Sequence, residues 1–126
     1  MEKIFTYLAA PYTDKDPTVV DARVEAVMRA DAWLTKYQHK LIVTPLSKHF
    51  ILKYEKISNT WGYWEKYGKG LLDISKELIV LRLPGWENST GVADEMSYAS
   101  QIDIPIVYLD LWMMEKPSNN EWCLAP

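Results

Sequence analysis

The 126-residue chain is long enough for one domain that buries about two thirds of the surface its unfolded form exposes. Hydrophobic residues at 48% and charged residues at 25% fit a soluble globular protein, and no apolar run is long enough to cross a bilayer. A net charge of −3 argues against a nucleic-acid polymer as the main partner and leaves a small anionic ligand open.

Residues 1–14 (MEKIFTYLAAPYTD) pass from two charges into a strand-like run. They lack the long apolar core and small-residue cleavage site of a signal peptide, which predicts a cytoplasmic protein. Residues 3–10 have the length and apolar content of a strand buried on both faces. Pro11 and Tyr12 end it, and a polar loop leads to a helix with Asp16 as its cap and Pro17 at its first position. Val20, Val24, Val27, Met28 and Leu34 form the buried stripe of that helix. Asp21, Arg23, Glu25, Arg29 and Lys36 fall on the opposite face, which is expected to meet water.

Residues 40–44 (KLIVT) read as a second strand, stopped by Pro45. Residues 46–60 have weak periodicity and are expected to be a loop with a single helical turn. His49 lies in it as a candidate proton carrier, although a lone histidine in a loop is more often solvated or hydrogen-bonded than catalytic. Residues 61–76 look helical in two pieces, with a bend predicted at Gly68 and Gly70. Residues 78–83 (LIVLRL) form the most strand-like segment, followed by a helix over 89–101 and a fourth strand over 104–109 with Pro105 near its start. The tail, 111–126, mixes Trp112, Met113, Met114 and Trp122 with Pro and Asn and is expected to pack on the domain or on a neighbouring subunit. Cys123, the one cysteine, has no disulfide partner and no metal-ligand spacing, so it reads as structural or incidental.

The βαβαβαβ order over a single domain, residues 1–126, predicts an α/β fold. It is a three-layer, flavodoxin-like or Rossmann-like parallel sheet of four to five strands with helices on both faces. Ligands bind such sheets at the carboxyl ends of the strands. Residues 9–12, 44–46 and 84–89 meet there. Ala10, Pro11 and Tyr12 after the first strand, and Gly85, Trp86, Ser89 and Gly91 after the third, are therefore candidate substrate-binding residues. If Ser89 caps the last helix, Val92, Glu95, Met96 and Ala99 share one face, which puts a carboxylate in an apolar stripe while Asp94 points to water. Free N–H groups at that helix start suit a phosphate or carboxylate, although capping alone explains Ser89 and the glycines equally well. A half-buried Glu95 serves as general acid or base, as a nucleophile toward an electrophilic carbon, or as the ion-pair partner of Arg82 or a lysine. No Walker loop, dinucleotide glycine fingerprint, zinc spacing or serine elbow is present in the sequence. Neither a metal nor another cofactor is expected.

YLAAPY at 7–12, LIVLRLPGW at 78–86, and the run from Ser89 through Gly91 to Glu95 and Ala99 resemble the nucleoside 2-deoxyribosyltransferase superfamily, closest to a bacterial and phage branch. The resemblance spans most of residues 4–109, and its last motif is the specific one. It implies that Glu95 attacks C1′ of a 2-deoxynucleoside and expels the base through a glycosyl-enzyme intermediate. Tyr7 would orient that nucleophile. Six positions before the glutamate, the superfamily's nucleoside transferases have Asp and its 5′-monophosphate N-glycosidases have Ser; Ser89 matches the second. An uncharged donor at a helix N-terminus also suits a phosphate, which an aspartate would repel. The superfamily's second carboxylate, which helps protonate the leaving base, aligns with Gly70; Asp73, one turn on, is the candidate substitute.

The resemblance thus implies an N-glycosidase acting on a (deoxy)nucleoside 5′-monophosphate, with Glu95, Tyr7 and Asp73 as catalytic residues. A base-exchanging deoxyribosyltransferase and a non-catalytic nucleotide-binding module are the alternatives. The resemblance further implies a homodimer or higher homo-oligomer, and the six Trp and eight Tyr fit an interface, a core or a pocket for a flat ring.

Overall fold

The computed structural model of the protein describes residues 2–57 and 61–114; Trp122 and Cys123 lie outside the described residues. The sheet consists of β1 (Phe5–Ala9), β2 (Leu41–Val43), β3 (Ser75–Leu81) and β4 (Ile106–Leu109). Its strand order is β2-β1-β3-β4, and every pairing is parallel. Helix α1 (Pro17–Gln38) carries the chain from β1 outward to β2. Helices α2 (Trp61–Asp73) and α3 (Thr90–Gln101) carry it in the opposite direction, to β3 and then β4. Right-handed crossovers running in opposite directions put α1 on one face of the sheet and α2 with α3 on the other.

The strand residues divide between those faces with period two. Leu8, Ile79 and Leu81 pack with Val27, Ala30 and Leu34 of α1. Tyr7, Ala9, Leu78 and Val80 pack with Leu72, Val92 and Ala99 of the other layer. Each full burial of a Leu or Val of this kind stabilises the fold by about 1.5–3 kcal/mol. The result is the three-layer α/β domain that the pattern predicts. Among the described residues no helix is long and apolar enough to cross a membrane.

Local chemistry sets the helix ends. The Asp16 carboxylate accepts the Thr18 N–H at 2.9 Å, Pro17 supplies the preset first φ, and α1 stops where His39 turns left-handed at φ 55°. Ser89 accepts the Val92 N–H at 3.2 Å and starts α3.

Two expectations are corrected. The segment after β2 is a 3-10 helix, Pro45–Lys53, rather than a loop with one turn; Thr44 caps it by accepting the Leu46 N–H at 3.3 Å. Its three-residue period is invisible to a search for 3.6. Helix α2 runs unbroken through Gly68 and Gly70 and stops at Asp73, so Ser75 and Lys76 belong to β3. Gly68 is there for contact: a Cβ on it would lie 3.2 Å from the Tyr7 hydroxyl.

Candidate active site

A cavity of about 810 Å³ opens at the carboxyl edge of the sheet, within the size range of small-molecule sites. The chain after β1, the 3-10 helix after β2, the first turns of α2, and the β3–α3 turn surround it.

Glu95 faces it from α3. Val92 and Ala99 bury the same side of the helix, whereas Asp94 is exposed. The Tyr7 hydroxyl, on a residue of 0% exposure, donates a hydrogen bond to Glu95 Oε2. Burial pushes the Glu95 carboxyl up to about 7, the nearby Asp94 charge adds to the rise, and the Tyr7 hydrogen bond opposes it. Tyr7 is in turn raised well above the usual phenol range, by burial first and then by the Glu95 charge. The pair thus holds a carboxyl whose proton affinity is raised toward neutrality next to a phenol that stays protonated. The alternative of an ion pair to Arg82 is excluded, because Arg82 binds both oxygens of Asp110 at 2.7 and 2.6 Å.

Ser89, Gly91 and Gly85 line the cavity beside Glu95. Ser89 Oγ accepts the Val92 N–H and keeps its own proton to donate, and the N–H groups of the first turn of α3 have no intrahelical acceptor. Gly85 has φ 92°, and a Cβ there would lie 2.8 Å from Arg23 Nη2. The Arg23 guanidinium spans the mouth: Nη1 donates to the Thr13 carbonyl at 2.9 Å and Nη2 to the Pro84 carbonyl at 3.2 Å. A cation, a hydroxyl and a helix N-terminus therefore converge on one wall, which suits an anion.

Ala10, Pro11 and Tyr12 line the cavity from the chain just after β1. Tyr12 Oη lies 2.9 Å from His49 Nδ1, and His49 Nε2 lies 3.5 Å from Asp21 Oδ1. Leu46, Leu52, Ile57 and Trp64 complete an apolar wall. Among the described residues no group of three or more His, Cys, Asp or Glu is placed to hold a metal ion.

Two expected site residues are elsewhere. Asp73 ends α2 at the amino edge of the sheet, where it is exposed and accepts the Tyr98 hydroxyl proton at 2.5 Å. It does not line the cavity, so it does not replace the acid expected at Gly70, itself exposed with nothing near its Cβ position. The unbroken α2 is the reason: without a bend, position 73 stays three residues beyond Gly70 and farther from the carboxyl edge. Trp86 packs beside Tyr108, ring centroids 5.8 Å apart, and under Arg82 rather than along the cavity. Trp64 takes the wall position instead. Arg23 and Asp21 look like water-facing positions on the α1 helical wheel; their place in its first two turns is the signal that puts them at the carboxyl edge.

Fold and site together define a three-layer α/β protein with a carboxyl–tyrosine pair in a cavity at the carboxyl edge of its sheet. The family described as a domain of unknown function (DUF1937) matches residues 4–111, and the chain belongs to it. No curated protein matches the sequence.

Proposed function

We propose that the protein is an N-glycosidase that cleaves the base–sugar bond of a (deoxy)nucleoside 5′-monophosphate. The observation that carries this reading is the Glu95–Tyr7 pair, a half-buried carboxyl held by a phenol on the wall of a nucleotide-sized cavity. In its ionised form Glu95 attacks C1′, the C1′–N bond breaks, and the base departs; water then hydrolyses the glycosyl ester. The Tyr7 hydrogen bond favours the ionised form that burial disfavours, and it fixes which oxygen points where. The 5′-phosphate lies at the start of α3, with Ser89, the first-turn N–H groups and Arg23 as its partners. The base lies against the apolar wall that includes Trp64. The resemblance of the 78–99 stretch to the nucleoside 2-deoxyribosyltransferase superfamily supports the same assignment. A cytoplasmic location and assembly as a homodimer or higher oligomer belong to this proposal, the latter implied by the family resemblance and compatible with the aromatic excess.

The second reading, a nucleotide-binding module without turnover, is favoured by one observation: neither Asp73 nor Gly70 supplies an acid to the cavity. Incubation with the four deoxynucleoside 5′-monophosphates and chromatographic detection of free base separates the two. Base release by the wild type and its loss in Glu95→Gln support the enzyme. Ligand-induced stabilisation with no release supports the module, and equal release by both proteins refutes Glu95 as nucleophile. Adding a second free base and looking for its nucleotide tells transfer from hydrolysis.

A further inference from the structure

The proposed cleavage leaves one proton without a source. A base expelled as an anion is a poor leaving group, so a proton donor has to meet it, and the structure takes Asp73 out of the cavity. The donor also has to sit across the sugar from the nucleophile, because attack and departure occur on opposite faces of C1′.

Tyr12 is across from Glu95 in that sense. It packs against the core cluster on the α1 side of the sheet, to which Leu8, Val27 and Leu46 belong, whereas Tyr7 and the inner face of α3 belong to the other side. Both sides reach the same cavity over the carboxyl edge. Behind Tyr12 stand His49, with Nδ1 2.9 Å from the phenol oxygen, and Asp21, 3.5 Å from Nε2. Three separate elements supply these residues: the chain after β1, the 3-10 helix and α1. Asp14 is the other carboxylate on the cavity wall among the described residues. It accepts the Asp16 N–H at 2.9 Å and so anchors the turn before α1.

We propose that Tyr12, His49 and Asp21 form a proton relay, with Tyr12 as the catalytic residue that protonates the departing base; this rests on the N-glycosidase reading. In the form in which His49 carries both ring protons, Nδ1–H donates to Tyr12 Oη and the Tyr12 O–H donates to the base. As Glu95 forms its bond to C1′, the electron pair of the breaking C1′–N bond goes to the base. The base takes the Tyr12 proton, and Tyr12 takes the Nδ1 proton. His49 ends neutral, with its Nε2–H toward Asp21. Water then attacks C1′ from the face the base has left, which is the face of Tyr12, and its proton returns through Tyr12 to His49 while the Glu95 ester bond breaks. Every proton and electron pair is restored after one turnover. Burial, followed by the Asp21 charge, raises Tyr12 above the usual phenol range, so the phenol passes a proton on without lingering as phenolate.

The test compares two leaving groups on one sugar phosphate. The first is the natural base that the wild type releases fastest from the four deoxynucleoside monophosphates; the second is 4-nitrophenol on 2-deoxyribose 5-phosphate, which departs without protonation. Tyr12→Phe, which keeps the ring, and His49→Gln are expected to slow natural base release by about 100-fold and nitrophenol release by less than about threefold. Glu95→Gln is expected to abolish both. Equal slowing of both substrates by Tyr12→Phe overturns the relay and leaves the glycosidase intact. The leaving-group signature in Asp14→Asn with none in Tyr12→Phe overturns it too, and assigns the proton to Asp14. A wild type that releases neither group overturns the parent reading and the relay with it.

Discussion

Glu95→Gln is expected to stabilise the protein by an amount that grows with pH. The Glu95 carboxyl is pushed from its ordinary 4.5 to about 7 in the folded chain. At about 1.4 kcal/mol per unit, this difference corresponds to roughly 3 kcal/mol. Below about pH 4.5 the carboxyl is protonated in both folded and unfolded states, so it contributes no pH-dependent term. Between 4.5 and about 7 the unfolded chain gives up its proton while the folded chain holds it, so stability falls as pH rises; above about 7 the full penalty is present. Glutamine carries no such proton, and its carbonyl still accepts the Tyr7 hydroxyl. Urea denaturation of both proteins at about pH 4, 6 and 8 gives the comparison, in which all other titrating groups cancel. The variant's advantage should be near zero at the lowest pH and approach 3 kcal/mol at the highest. A pH-independent difference, or a variant less stable at about pH 8, refutes the claim that burial of the Glu95 charge is what raises its proton affinity.

Gly85→Ala is expected to lower stability by about 1–3 kcal/mol, because its φ of 92° strains any side chain and its Cβ would collide with Arg23 Nη2; the urea midpoint measures this, and titration with inorganic phosphate should show weaker binding. Gly68→Ala should leave stability unchanged or slightly higher through helix propensity. It should nevertheless lower base release by about tenfold by displacing the Tyr7 hydroxyl, 3.2 Å from the new methyl; thermal unfolding and kcat read the two effects separately. Asp73→Asn should change base release by less than about twofold, since that carboxylate is exposed at the other edge of the sheet; a loss of 100-fold would return it to the mechanism.

Local periodicity carried the sheet, the three helices and the shared face of Val92, Glu95 and Ala99, because burial against a layer imposes a period of two or 3.6 on the residues themselves. The unbroken α2 was not legible. Gly68 lowers intrinsic helix preference, and the reason for a glycine there, the close approach of the Tyr7 hydroxyl, lies sixty-one positions earlier in the chain. Trp86 posed a similar difficulty: it is an aromatic residue at the predicted edge, and its packing with Arg82 and Tyr108 is what draws it away from the cavity.

The polar residues of α1 show why half of the site stayed hidden. A helical wheel divides positions between core and water, and on it Asp21 and Arg23 fall on the wet side. Yet α1 and α3 both begin where parallel strands end, so polar residues of their first two turns lie near the carboxyl edge of the sheet even where a neighbour such as Val92 packs into the core. Of the polar residues there, Arg23 lines the cavity, and Asp21, itself largely exposed, lies 3.5 Å from the cavity-lining His49, a proximity that the wheel does not represent. Glu95 was legible because it sits in an apolar stripe, where a carboxylate is an anomaly. Arg23 and Asp21 break no pattern, and their candidacy follows only once Thr13, Pro84 and His49 are seen to lie within reach of their side chains. In a parallel α/β domain, polar residues in the opening turns of every helix that starts at the carboxyl edge are therefore candidates for the site, whichever side of the wheel they occupy.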